Sequence, residues 1–135
     1  MWPFSKRSIS TLKREHIDFL NTVDYEYMRA YAVKSTTRLN KYLSRECAVE
    51  IGRAVYSINS KYFGSEKFRD TTWTLITQST NLLVVLKEVE FSKVRVAGSL
   101  SLTVADDYKE IWRLDISNGN LCVCGIEPVS ENVTA

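Results

Sequence analysis

Apolar residues between Thr11 and Ser57 recur every three or four positions. Ile17, Leu20, Val23, Tyr27 and Tyr31 mark one face of a helix. The stripe breaks near Lys34-Ser35-Thr36-Thr37, a polar and β-branched cluster. It resumes at Leu39 and Leu43 and runs through Cys47, Ile51, Ala54, Val55 and Ile58. Ser44 is placed to cap the last helix, with Glu46 in its first turn to meet the helix dipole. The pattern predicts three helical pieces, the last near 45 to 58, and then a connection from Asn59 to Asp70.

After Asp70 the period becomes two. The alternation predicts strands over Thr72 to Thr77 and Leu82 to Phe91, separated by a turn at Gln78 to Asn81. In the second strand Val85, Lys87, Val89 and Phe91 make the better inner face, because the competing set would bury Glu88 and Glu90 together. Val94, Val96, Gly98, Leu100, Leu102 and Val104 alternate with polar or small residues. They predict one half-buried antiparallel strand over 93 to 104, with Gly98 as a bulge or bend. Ala105-Asp106-Asp107 is expected to turn the chain into a final hairpin. Helices first and consecutive strands afterwards imply an α+β fold.

The hairpin is the stretch "EIWRLDISNGNLCVCGIEP", residues 110 to 128. Asn118-Gly119 between alternating runs predicts a type I′ turn, which needs positive φ at both positions. A two-residue loop sets the register. Ile116 then faces Leu121, Leu114 faces Val123, and Trp112 faces Gly125, all on one apolar face. Asp115 faces Cys122, Arg113 faces Cys124, and Ile111 faces Ile126 on the other. The first face is expected in the core and offers no titratable group. The strand over 93 to 104 offers none either.

Composition narrows the function classes. The chain has 135 residues, enough for one domain with its own core. The net charge is +2, and the first acidic residue, Glu15, follows Lys6, Arg7, Lys13 and Arg14. The rest of the chain is slightly acidic, so nucleic acid is not expected as a partner. No apolar run reaches membrane-span length; the longest, Leu82 to Leu86, is strand-sized. The N-terminus lacks the apolar core of a signal peptide. The three Cys do not form a secreted framework. Together these point to a cytoplasmic protein with reduced thiols.

Candidate chemistry is sparse. His16 is the sole histidine and is expected to face solvent, which leaves no Ser-His-Asp or Cys-His arrangement. Cys122-x-Cys124 lacks the spacing of a zinc pair, and Cys47 reads as a small buried hydrophobe, so no metal is expected. The glycines are isolated and make no phosphate loop, so no cofactor is expected. Asp106, Asp107 and Glu110 read as a solvated acidic edge. Glu88 and Glu90 read as surface. Tyr27, Tyr31, Tyr56 and Trp73, with Trp112 and Leu114 from the hairpin, are the candidate lining of a ligand pocket. Arg113, Asp115, Cys122 and Cys124 form the candidate dimer or partner face. Trp2 and Phe4 beside Lys6 and Arg7 are the candidate contact with a membrane surface.

The runs "YMRAYA" (27 to 32), "LNKYLSRECAVEI" (39 to 51) and "YKEIWRLDISNGNLCVCGIEP" (108 to 128) resemble the NTF2-like superfamily, most closely its Tim44-like branch. The likeness covers roughly residues 20 to 128 and lies in fold motifs, not catalytic ones. The final strand carries Leu121-Cys122-Val123 where many relatives place a Trp. The resemblance implies N-terminal helices packed on a strongly bent antiparallel sheet that forms a cone. Residues 1–14 would be a basic tail, 15–128 the NTF2-like domain and 129–135 a C-terminal tail. Enzymes of the superfamily carry Asp, Tyr or His projecting into the cone, and no such residue is matched here. The first expectation is therefore a non-catalytic module that binds an apolar small ligand or a partner protein as a homodimer. The alternatives are an isomerase or dehydratase drawing its acid or base from Asp70, Tyr27 or Glu88, and a peripheral membrane tether using the N-terminal tail.

Overall fold

The computed structural model describes residues 12–57, 66–97, 100–105 and 107–129. Helix α1 spans Arg14–Val33 and helix α2 spans Arg45–Val55, with a single 3-10 turn at Asn40–Tyr42 between them. The stripe read from the sequence is the buried face of α1: Leu20, Val23, Tyr27 and Tyr31 are all enclosed. His16 is enclosed too, contrary to expectation. It lies four residues before Leu20, so the buried face simply begins one turn earlier than the apolar residues do.

Local chemistry ends these helices. Lys34 adopts the left-handed conformation (φ 58°), and its N–H donates back to the Ala30 carbonyl. Its ammonium reaches forward to the carbonyls of Val55 (3.3 Å) and Ser57 (3.0 Å), where a cation meets the negative end of α2. At the other end of α2 the Ser44 hydroxyl accepts from the Cys47 N–H at 3.2 Å, as its position before Glu46 predicts.

One antiparallel sheet follows, built from β1 (Glu66–Gln78), β2 (Leu82–Ala97), β3 (Leu100–Ala105), β4 (Tyr108–Asp115) and β5 (Cys122–Pro128). The order is β1-β2-β4-β5, and β3 also pairs with β2. Strand β2 is the backbone of the sheet. One edge pairs with β1 over Leu83–Lys93, while the other takes β4 over Leu82–Val89 and β3 over Ser92–Ala97. The strand expected over 93 to 104 is thus two strands. Ala97 pairs antiparallel with Leu100, and Gly98 and Ser99 lie outside the described residues. Strand β1 begins at Glu66, earlier than the expected Thr72, so the connection expected up to Asp70 ends sooner. The free edge of β5 is closed by the chain ahead of α2: the Ser44 N–H donates to the Val123 carbonyl at 2.9 Å.

The hairpin keeps half of its expected register. Asp115 faces Cys122 and Leu114 faces Val123. A bulge at Cys124 then shifts the pairing, so Arg113 faces Gly125 and Trp112 faces Ile126. Ile126 therefore packs against the core and not beside Ile111 on the outer face. The turn is not type I′. Gly119 has φ 75°, but Asn118 does not take positive φ. The Asp115 carboxylate accepts from the Ser117 N–H (2.9 Å) and hydroxyl (2.6 Å), and the Ile116 N–H donates to the Asn81 carbonyl. With these local bonds the strand pairing ends at Asp115 and Cys122, so Ile116 and Leu121 are not a ladder pair.

Both helices lie on one side of the sheet. Trp112, Leu114, Leu83, Val85 and Val123 form a single core with the stripes of α1 and α2. Among the described residues no helix is long and apolar enough to cross a membrane.

Candidate functional site

The inner face of the sheet is not apolar throughout. Val85, Lys87 and Val89 point inward along β2, as expected, while the side chain of Phe91, the fourth of that set, lies outside the described residues. Trp73 of β1 pairs with Lys87, and Lys87 pairs with Glu110 of β4, so these residues form a row across three strands. Glu110 shares the parity of Trp112 and Leu114 and is 1% exposed. It is not part of a solvated acidic edge, and the core face of the hairpin does carry a titratable group. Helix α1 lies over this row and brings Asp24 and Tyr27 down onto it.

The contacts are dense. The Lys87 ammonium lies 2.5 Å from Asp24 Oδ1 and 3.3 Å from Glu110 Oε1. Asp24 Oδ2 pairs with Arg69 of β1. The Tyr27 hydroxyl donates to Glu110 Oε2 at 2.8 Å, and the Trp112 indole N–H donates to Oε1 at 3.1 Å. Lys87 also donates to the Tyr108 hydroxyl at 3.2 Å and sits about 5 Å from the ring centres of Tyr27, Tyr108 and Trp112. Buried charges persist only when paired and hydrogen-bonded, and here two carboxylates meet two cations.

The titration of these groups reflects that balance. Burial works against the Lys87 ammonium, but the charges of Asp24 and Glu110 outweigh it and hold its pKa above the ordinary lysine value. Burial, reinforced by Glu110, raises the Tyr27 hydroxyl well above the ordinary tyrosine value. Burial likewise raises Tyr108, opposed by the neighbouring Lys87 charge.

The network reaches the surface at one end. A cleft of about 480 Å³ opens between α1 and β1, lined by Asn21, Asp24, Tyr25, Met28, Arg29, Ala32, Arg69 and Thr71. Asp24 therefore belongs both to the buried network and to the cleft wall. Asn21 is oriented by the Trp73 indole, which donates to its side-chain oxygen at 2.9 Å. Arg69 Nε and Thr71 Oγ1 are buried with no hydrogen-bond partner among the described residues.

None of the six residues expected to line a pocket borders this cleft. Tyr27, Tyr31, Trp73 and Trp112 do come together, as edge-to-face pairs with ring centres 5.1 to 5.5 Å apart, beside a buried Leu114. Tyr56 is apart from them, 59% exposed, with its hydroxyl accepting from the Thr36 N–H at 3.1 Å. On the outer face Arg113 pairs with Glu127, and Asp115 is occupied by Ser117. Cys122 and Cys124 are half-buried, and burial raises both thiols. Cys47 is enclosed, and burial pushes its thiol up to about 12. Of the expected acids and bases, Asp70 is exposed and Glu88 is half-buried beside Lys109 at 3.8 Å. Trp2, Phe4, Lys6 and Arg7 lie outside the described residues, as does Asp106.

Sequence reasoning missed Asp24, Arg29, Arg69 and the inward Glu110. For Glu110 and Asp24 a signal existed: Glu110 alternates with Trp112 and Leu114, and Asp24 lies four residues after Leu20 and three before Tyr27. No family model, no curated protein and no solved structure matches this chain.

Proposed function

We propose that the chain is a non-catalytic small-molecule-binding module of the NTF2-like kind, with its site in the cleft between α1 and β1. The observation that carries the reading is the cleft itself. Its volume of about 480 Å³ lies in the range of ligand sites, and its wall mixes polar groups with Met28, Tyr25 and Ala32. The cone reading draws support from two features: helices on one face of the sheet, and a long β2 that takes two successive partners along one edge.

A binding role fits the buried groups better than acid–base catalysis. A general base must come within hydrogen-bond reach of a substrate proton. Both oxygens of Asp24 are held by cations, and both oxygens of Glu110 accept hydrogen bonds. The network holds these carboxylates in place, Asp24 as part of the cleft wall. Self-association through the outer sheet face around Arg113, Asp115, Cys122 and Cys124 is part of the same proposal.

The direct test is a thermal-shift and NMR screen of the full chain against neutral, cationic and anionic fragments. Ligands are expected whose binding is lost when the exposed Ala32 is replaced by Trp, which fills the cleft. A screen with no ligand sensitive to Ala32→Trp sinks the binding role. Sedimentation equilibrium tests self-association separately, and a monomer at every concentration removes that part.

A further inference from the structure

The cleft carries more positive charge than its buried network uses. Asp24, Glu110, Lys87 and Arg69 balance one another as two anions and two cations. Arg29, which also lines the cleft, pairs with no carboxylate among the described residues. One positive charge is therefore left over at the opening. Arg69 Nε, the Thr71 hydroxyl and Asp24 Oδ1 make no hydrogen bond among the described residues, but all three atoms are buried in the wall, so the unpaired charge open to an occupant is that of Arg29. Asp24, the carboxylate in the lining, is already occupied by Lys87 and Arg69.

From this juxtaposition we infer that the cleft selects a small organic monoanion, a carboxylate on an apolar body, with Arg29 as its charge partner. The inference rests on the binding role proposed above and names the ligand class for that site. An arginine fork matches a carboxylate in two parallel hydrogen bonds. Met28 and Tyr25 supply an apolar wall for the rest of the molecule. A phosphate monoester is the poorer match. It brings close to two negative charges to a site with one to spare, and the surplus would sit beside Asp24. An ammonium would face Arg29 directly.

Four matched probes test this on the full chain: 4-phenylbutyrate, 4-phenylbutanol, 4-phenylbutylamine and 4-phenylbutyl phosphate, titrated by calorimetry. The carboxylate is expected to bind at least about tenfold more tightly than the alcohol or the amine, a difference typical of one charge-assisted pair. Arg29→Gln lies on a half-exposed position of α1 and should leave the circular dichroism spectrum unchanged while erasing most of that preference. Ala32→Trp should abolish binding of the carboxylate. Equal or tighter binding of the alcohol or the amine overturns the inference and leaves the binding role standing. Tighter binding of the phosphate overturns the monoanion assignment. Carboxylate binding that survives Ala32→Trp places the site elsewhere and overturns the inference. If none of the four probes binds, the inference fails, and the broader fragment screen decides the binding role independently.

Discussion

Strand β4 carries an ion pair on each of its faces, and the two pairs differ in almost everything except chemistry. On the inner face Glu110 meets Lys87, with side chains 2% and 0% exposed. On the outer face Arg113 meets Glu127, with side chains 40% and 57% exposed. The outer pair joins two strands of one hairpin and stands in water, where such pairs contribute about 0–1 kcal/mol. The inner pair joins β2 to β4, and through Asp24 and Arg69 it also ties in α1 and β1. Its charges are desolvated, so their value lies less in what the pairing adds than in the penalty when one member is removed. A one-residue step along a strand decides which regime an ion pair enters.

The sharpest way to break this contrast is Lys87→Met. The substitution keeps most of the unbranched apolar stem, one atom shorter, but strands Asp24 and Glu110 in the core with one cation fewer. Urea unfolding should show a loss of about 3–5 kcal/mol, the usual cost of uncompensating a buried pair. Adding Glu110→Gln to the same chain should recover part of that loss, because Asp24 keeps Arg69 and one carboxylate again meets one cation. A loss below about 1 kcal/mol for Lys87→Met would put the inner pair in the same class as the outer one.

The pH dependence separates the two faces next. Lys87 and Tyr27 both have folded pKa values above their ordinary ones. A raised folded pKa means that the native state holds its proton more tightly than the unfolded chain does. Their contribution is then fully present below the unfolded values and lost as pH rises through the folded ones. Thermal midpoints should therefore hold on the alkaline side of neutral and fall once pH passes about 10, where unfolded tyrosine and lysine begin to release protons. Lys87→Met should remove part of that fall. An alkaline limb that stays flat to pH 12 would contradict the inner-face assignment.

How much of this was legible in the sequence follows from where each signal resides. The stripe of α1, the Ser44 cap, the inward set Val85-Lys87-Val89 and the core side of the hairpin all rest on period and local chemistry, and the structure carries them. The long strand over 93 to 104 failed because its alternation continues through Gly98-Ser99, a pair that also suits a two-residue hairpin loop. Period alone does not distinguish one strand from two. The type I′ turn failed because the Asp115 side chain competes for the Ser117 N–H, a choice that Asn118-Gly119 does not announce. Glu110 was misread because its charge outweighed its parity. Its solvation is replaced by Lys87, Tyr27 and Trp112, and of these only Trp112 is near it in sequence. The cleft was less legible still: its walls come from α1 and β1, about 40 residues apart along the chain, and no local pattern links them.

Tyr27→Phe probes the inner face more gently. It leaves the ring packed against Tyr31 and Trp112 but withdraws the hydroxyl from Glu110 Oε2. The expected loss in urea is about 1–3 kcal/mol, the cost of taking one donor from a buried carboxylate. No change at all would mean that water or another donor replaces the hydroxyl, and the network would be less closed than its contacts imply.

The smallest effect belongs to the outer pair, where the contrast is most exposed to refutation. A double-mutant cycle on Arg113→Ala and Glu127→Ala should give a coupling below about 1 kcal/mol. The cycle is needed because Arg113 also lies over Gly125, so a single substitution would mix packing with charge. Repeating it in 1 M salt, where screening acts over about 3 Å, should bring the coupling close to zero. The penalty of Lys87→Met should change little under the same conditions, since ions do not enter the core. If both respond to salt alike, solvent reaches Lys87 and the distinction between the two faces of β4 collapses.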